Sequence, residues 1–239
     1  MISSLQHTIV KKILKLKESA SFRKEEGLCL LVSDKVIQEV SSQKEIVILF
    51  YKEGSSLHKI IPAKEKIAVT SPILKKFLGY ESDDTLAAMI DISNENPLLT
   101  SPFLVLDGIQ DPGNLGTLLR SACAFGFKNV ALINGCCDPY NDKALKSARG
   151  APFFLNCFST NVEHIIHFIK SSSSELYFAD MKGTPLRSLS FTPPFGLVLG
   201  NEGHGVSHAI KAHAFLYRIH TLGSVLHGVK STQPVRFFA

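Results

Sequence analysis

Asn114-Leu-Gly116-Thr-Leu-Leu-Arg120 follows the apolar run Phe103 to Leu106 and the turn-rich stretch Asp107-Gly-Ile-Gln-Asp-Pro-Gly113. Read in order, these residues make a strand, a Gly/Pro loop and a helix. That arrangement presents polar side chains at the carboxyl edge of a parallel strand, where open α/β sheets place their ligands. Asn114 falls where an N-cap belongs, and Arg120 lies nearly two turns further along the same helix. Taken singly, each has an ordinary explanation, Asn114 as a cap and Arg120 as a solvated helix residue.

Outward from this unit the second half of the chain keeps alternating. Apolar runs predict strands at Phe103 to Leu106, Val130 to Ile133, Leu176 to Ala179, Gly196 to Leu199 and Phe215 to Ile219. Helical spacing predicts helices at Leu115 to Ala124, Lys143 to Ala148, Val162 to Lys170 and Ser207 to Ala212, with the serines Ser171 to Ser174 as a loop. Strands and helices in turn imply a parallel sheet covered on both faces. The first half also alternates, over shorter elements: strands Leu28 to Val32, Ile46 to Tyr51, Lys66 to Val69 and Leu86 to Ile92, and helices Lys35 to Val40 (capped at Ser33-Asp34), Ser55 to Ile61 and Ile73 to Leu78, the last opened by Thr70-Ser-Pro72. The polar stretch Ser93-Asn-Glu-Asn-Pro97 reads as a linker, which divides the chain into residues 1–95 and 96–239. The fold class is therefore α/β, a small α/β domain followed by a parallel-sheet domain.

Composition narrows the function classes. At 239 residues and 45% hydrophobic content, the chain can bury one good core or two modest ones. Its net charge of +5 is concentrated: residues 1 to 24 carry Lys11, Lys12, Lys15, Lys17, Arg23 and Lys24 against the single acid Glu18. Such an end suits phosphate contacts, with Arg23 and Lys24 as candidates; the same residues also fit a solvated amphipathic helix, because Ile9, Val10, Ile13 and Leu14 recur at helical spacing. Five cysteines at 29, 123, 136, 137 and 157, with no Cys-x-x-Cys pair, point to a reducing compartment and to neither a disulfide framework nor a zinc site. No apolar run approaches the ~18 to 20 residues of a membrane span, so a cytoplasmic protein without membrane partners is expected.

A second distinctive segment is Leu197-Val-Leu-Gly200-Asn201-Glu202-Gly203-His204-Gly205, a buried strand entering a glycine-rich turn. Its glycines let backbone approach a ligand closely. It lacks the lysine of a nucleotide-triphosphatase loop, and the first strand-helix junction lacks Gly-x-Gly-x-x-Gly, which weakens a nicotinamide reading. Glu202 is placed to pair with an arginine such as Arg120. His204 and His208 have i, i+4 spacing but no supporting carboxylate or cysteine, so no metal is expected. Ser207 lacks the Gly-x-Ser-x-Gly context of a hydrolase nucleophile.

Together the two segments resemble motifs 1 and 2 of the SPOUT superfamily, in its SpoU/TrmH branch of RNA ribose 2′-O-methyltransferases. Motif 1, Asn-x-Gly-x-x-x-Arg, is matched by Asn114, Gly116 and Arg120; motif 2, a strand running into Gly-x-Glu-Gly-x-Gly, by Gly200, Glu202, Gly203 and Gly205. Ser4-Leu-Gln6, Arg23-Lys-Glu-Glu-Gly-Leu28 and the stretch Val69 to Ile92 look like the small ribosomal-protein-like substrate-binding domain that precedes the catalytic one, so the resemblance covers about residues 3 to 225. It implies an α/β-knot domain, a homodimer, S-adenosyl-L-methionine as cofactor and methyl transfer to a ribose 2′-hydroxyl of structured RNA, ribosomal RNA above all, with 23S rRNA as the expected substrate. By the same carry-over Arg120 assists loss of the hydroxyl proton, Asn114 positions RNA or Arg120, and Glu202 orients that pair. Leu199, Gly200, Gly203, Ile219, Thr221 and Gly223 are the implied cofactor-binding residues, and only by this family resemblance do Arg23 and Lys24 become RNA-binding residues.

The departure is at motif 3. Ile219, Gly223, Ser224 and Val225 fit it, but His227-Gly228-Val229 stand where the family has Ser-Leu-Asn, and Pro234 opposes the expected terminal helix before Ala239. The loss of pattern near Leu226 has the look of a shifted reading frame or of a degenerate end. It motivates a second expectation, a noncatalytic RNA-binding relative that has lost its cofactor.

Overall fold

The computed structural model describes residues 1–93, 99–180, 183–185, 188–212 and 216–220, the last by backbone alone. The chain groups into two compact units. The first joins the described part of 1–98 to Gln110–Val130 and Cys137–Phe158; the second joins Leu99–Ile109 and Ala131–Cys136 to the described part of 159–239.

In the first unit α1 (Thr8–Glu18) forms because Val10, Ile13 and Leu16 recur at helical spacing and are buried, while Lys11 and Lys15 stay exposed. The Ser19 hydroxyl caps α2 (Ala20–Glu26), and Gly27 ends it at φ 62°, a left-handed conformation suited to glycine. Next come β1 (Leu28–Val32), α3 (Asp34–Val40), β2 (Ile46–Lys52), β3 (Glu65–Val69), α4 (Ser71–Leu78) and β4 (Leu86–Asp91). Their sheet runs β1-β4-β2-β3, with β4 antiparallel to both neighbours and β2 parallel to β3. Alternate residues of β4 enter different cores. Ala87 and Met89 join Ile13, Leu16, Phe50 and Phe77, whereas Leu86, Ala88 and Ile90 join Ile37, Val40 and Leu49.

Two local expectations are corrected here. The helix expected over Ser55 to Ile61 is only a 3-10 turn at Leu57–Lys59. Pro62 denies it a further donor, the His58 ring stacks on Tyr51 at 3.8 Å between centroids, and the His58 carbonyl accepts from Lys66 Nζ at 2.8 Å. Ser33 precedes α3 but makes no side-chain cap. Asp34 instead accepts from the Thr85 and Leu86 amides and tethers α3 to β4.

Phe103–Asp107 forms β5, which belongs to the second unit. The first unit is completed by α5 (Pro112–Ala124), by α6 (Asp142–Ala148) and by a 3-10 turn at Ala151–Phe153. The unit boundaries fall inside β6 (Asn129–Ile133) and β7 (Asn156–Ser159). The second unit continues with α7 (Val162–Ser172), β8 (Glu175–Asp180), β9 (Thr184–Pro185), β10 (Phe195–Gly200), α8 (His208–Lys211) and β11 (Leu216–His220). A seven-stranded sheet has the order β7-β6-β5-β10-β8-β11-β9; within the second unit β10 runs parallel to both β5 and β8, as β11 does to β8 and β9. β5 is buried throughout, which is why it reads as an unbroken apolar run.

The serine stretch is not simply a loop. Helix α7 continues through Ser172, Ser173 ends it at φ 52°, and Ser174 is buried with its hydroxyl bonded to that of Ser172. The edge strand β7 was not expected from the sequence. Among the described residues no helix is long and apolar enough to cross a membrane.

Candidate functional site

Motif 1 lies on α5, in the first unit. The helix starts earlier than the sequence reading places it. Asp111, not Asn114, is the N-cap, and its carboxylate accepts the Asn114 amide at 2.9 Å, while Pro112 supplies a preset φ in the first turn. Asn114 is thereby a half-buried first-turn residue whose side chain is not used for capping. Leu115, Leu118, Leu119 and Ala122 form the buried face, and Arg120 stands exposed on the helix with no ion-pair partner among the described residues. Gly116 has a packing reason to be glycine. A Cβ there would lie 2.3 Å from the Ala144 carbonyl oxygen, so α5 and α6 approach as closely as they do only because it is absent.

Lys143 Nζ lies 2.7 Å from Asp111, and its ammonium, aided by the Asn114 amide, holds the Asp111 carboxyl below its ordinary value. A depressed folded value means stabilisation that is present above the unfolded value of ~4 and lost as pH falls through the folded one. Asp111→Asn retains the cap without the charge. The stability gap between wild type and Asp111→Asn, followed by urea unfolding, is expected to shrink on going from pH 6 to about pH 3; a gap independent of pH would contradict this origin.

Motif 2 lies at the carboxyl end of β10, in the second unit. Gly200 pairs with Asp107 in the parallel register, and the turn beyond it closes as Gly205 N–H donates to the Asn201 carbonyl at 2.8 Å. A Cβ on Gly200 would lie 2.2 Å from the Gly205 carbonyl carbon and 2.3 Å from the Val206 nitrogen, so the turn folds over the strand end only above a glycine. Leu199 and Gly200 are half-buried; Glu202, Gly203 and His204 are exposed. Ile219 pairs with Ala179 of β8 and Thr184 of β9 along β11. Thr221, Gly223 and the atypical ending lie outside the described residues.

Two residues that the sequence reading passed over organise this turn. The Asn201 amide donates to the Gly108 carbonyl at 2.9 Å, and its oxygen accepts from the Gly203 and His204 amides at 2.9 and 3.2 Å. Asp107, 3% exposed at the end of β5, accepts from Asn134 Nδ2 and from the Ser207 amide, both at 2.7 Å. Ser207 is accordingly the residue before α8, tied by its backbone. The carboxyl ends of β5, β6 and β10 are thus joined into one polar edge by hydrogen bonds from Asn134, Asn201 and the Ser207 amide. An aspartate ending a wholly apolar strand was the signal available for Asp107; Asn201, inside a glycine turn, gave none beyond its turn propensity. Gly200→Ala is expected to cost ~1 to 3 kcal/mol, as overpacking against fixed backbone does, which thermal unfolding would report; an unaltered midpoint would mean that the turn relaxes freely.

Of the two basic candidates, Lys24 is exposed but Arg23 is not. The Arg23 side chain is 2% exposed, donates through Nε and Nη2 to Asp138 at 2.7 and 2.6 Å, and donates through Nη1 to the Leu16 and Lys17 carbonyls. It is a structural residue that offers no surface to a phosphate.

A family model for SpoU rRNA methylases matches residues 101–226, which include β5, α5 and the whole β10 turn. The chain belongs to the SpoU rRNA methylase family. Among its relatives, the 23S rRNA (guanosine(2553)-2′-O)-methyltransferase RlmP of Bacillus subtilis is 33% identical over 131 residues, covering 54% of this chain and 53% of that protein. The tRNA/rRNA methyltransferase slr1673 of Synechocystis, itself uncharacterized, is 25% identical over 229 residues, covering 86% and 80%. In solved structures, a TrmH-family protein of Porphyromonas gingivalis superposes with a TM-score of 0.81 at 26% identity, over 95% of this chain and 91% of that one. The SpoU methyltransferase AviRb of Streptomyces viridochromogenes, crystallised with its cofactor AdoMet, reaches the same TM-score at 20% identity, over 96% and 92%, a likeness of fold. The relatives named here are methyltransferases, and they lend no support to the noncatalytic expectation. The match to RlmP spans about half of that protein's length.

Proposed function

We propose that this SpoU-family chain is an S-adenosylmethionine-dependent RNA methyltransferase that methylates a ribose 2′-hydroxyl of structured RNA, with 23S rRNA as its substrate. The observation that carries the proposal is the joint presence of Asn114, Gly116 and Arg120 on α5 and of the Gly200 to Gly205 turn at the carboxyl end of β10, inside the stretch matched by the family model. The turn suits a cofactor. Gly203 carries no side chain and has no heavy atom nearer than 3.5 Å to where its Cβ would be, Gly200 lets the turn close over the strand end, and the apolar Leu199 flanks them. Leu199, Gly200, Gly203, Ile219, Thr221 and Gly223 would hold the cofactor, which supplies an electrophilic methyl group on a sulfonium. Neutralisation of that positive charge on transfer favours an apolar, carbonyl-lined surround.

The chain's own side chains do the rest. Arg120, whose guanidinium is a planar fork of donors with no acceptor, aligns the 2′-hydroxyl and an adjoining phosphate. Asn114 positions RNA or Arg120, and Glu202 orients the pair. Lys24 contributes a backbone contact, residues 1–95 act as the RNA substrate-binding domain and 96–239 as the methyltransferase domain, and the active form is a cytoplasmic homodimer. Calorimetric titration of the purified chain with S-adenosylmethionine tests the reading first. Saturable binding is expected, and folded protein that takes up no cofactor would refute it.

A further inference from the structure

The first unit carries a cleft of about 210 Å³ between β1, the start of α3, the Tyr80 loop and α6. Its chemistry is that of a nucleic-acid strand contact. Lys146 and Arg149 line it from α6, and Arg149, exposed at the left-handed end of that helix, has no ion-pair or hydrogen-bond partner among the described residues. Among the described residues Asp142 is the only acid lining it and already faces two cations, Lys146 at 2.8 Å and Lys17 at 3.8 Å, so that with Asp84 behind the Tyr80 hydroxyl three cations stand against two acids. Tyr80, 37% exposed, has its hydroxyl fixed by donation to Asp84 at 3.0 Å. Lys146 Nζ lies over its ring, 4.6 Å from the centroid. Ser33 forms another wall at φ 89°, a conformation that serine rarely adopts, and its hydroxyl makes no cap.

At about 210 Å³ the cleft is smaller than the ~300 to 1,000 Å³ of small-molecule sites, so it does not enclose a whole free ligand. Exposed arginine and lysine beside an aromatic ring is the combination that follows a single-stranded backbone and stacks a base. We infer that the Tyr80–Lys146–Arg149 cleft is an RNA-strand subsite separate from motifs 1 and 2, with Arg149 and Lys146 on a phosphate and a base against Tyr80. The inference rests on the proposed RNA methyltransferase reading and extends it by naming where RNA lies on the first unit.

Fluorescence anisotropy of the full chain with a single-stranded oligouridylate, over a range of salt, tests it. Tyr80→Ala should weaken binding roughly tenfold and Tyr80→Phe should not, since stacking uses the ring and not the hydroxyl. Arg149→Gln, which leaves the backbone demand at that position unchanged, should reduce the slope of log affinity against log salt by about 0.7. Cofactor titration of each variant should match wild type. If Arg149→Gln weakens binding and Tyr80→Ala does not, and inorganic phosphate competes as well as the oligonucleotide, the cleft is an anion site and the inference is overturned. Variants that bind as wild type does also overturn it. A wild-type chain that binds no RNA at all removes the underlying reading instead.

Discussion

Arg120→Ala is expected to lower methyl transfer to RNA by about 10²- to 10⁴-fold, the range that a positioned proton-transfer or alignment partner contributes, with S-adenosylmethionine affinity unchanged. Arg120 is carried by α5. Its apolar face is fully committed by Leu115, Leu118, Leu119 and Ala122, and Gly116 fixes it against α6, so the backbone that carries Arg120 is rigid while the side chain itself stays exposed. Removal of an exposed side chain from such a helix costs little stability, typically within ~0.5 kcal/mol, which separates a chemical effect from a folding one. Arg120→Lys should restore little, because a point charge cannot reproduce the planar fork that aligns a hydroxyl and a phosphate together. Single-turnover kinetics on rRNA would measure the loss; turnover equal to wild type in Arg120→Ala would remove Arg120 from the proposed site.

The largest expected loss of stability is at Arg23. Arg23→Met keeps the apolar stem but strands the Asp138 carboxylate and the Leu16 and Lys17 carbonyls, which the guanidinium now satisfies. Breaking a buried pair from one side costs ~3 to 5 kcal/mol, and because Asp138 is 22% exposed the lower end is expected. Lys24→Ala, one residue on and exposed, should leave the urea midpoint near that of wild type and weaken RNA binding instead. A destabilisation at Arg23 under about 1 kcal/mol, the worth of a single ordinary hydrogen bond, would contradict the structural role.

The contrast between Arg23 and Lys24 marks where the sequence stops being informative. Both belong to the same basic run, and the partner that converts Arg23 into a core residue is 115 positions away. Strands were legible where apolar runs were continuous and bounded by turns, as in β1, β5, β6, β8 and β10. β7 was not, because only Cys157 and Phe158 of its four residues are buried and nothing local distinguishes it from loop. The expected helix after Ser55 failed for a tertiary reason, the seating of His58 on Tyr51. At the site itself the motif residues were legible by type and spacing. Their support was not: the cap belongs to Asp111 because Pro112 sets the start of α5, and the glycine turn is held by Asn201 and Asp107 through contacts that span about a hundred residues.

The central claim is methyl transfer to a ribose 2′-hydroxyl, and the product of the reaction reads it directly. RNA incubated with the chain and S-adenosylmethionine labelled in its methyl group can be hydrolysed in alkali, which cleaves a phosphodiester only where the neighbouring 2′-hydroxyl is unmodified. The label is expected to survive in alkali-resistant dinucleotides, and Arg120→Ala to lower its rate of incorporation by the same ~10²- to 10⁴-fold. Label released entirely as mononucleotides would place the methyl group on a base, and no label in RNA from cofactor-binding protein would mean that the chain does not perform the transfer; either result contradicts the claim.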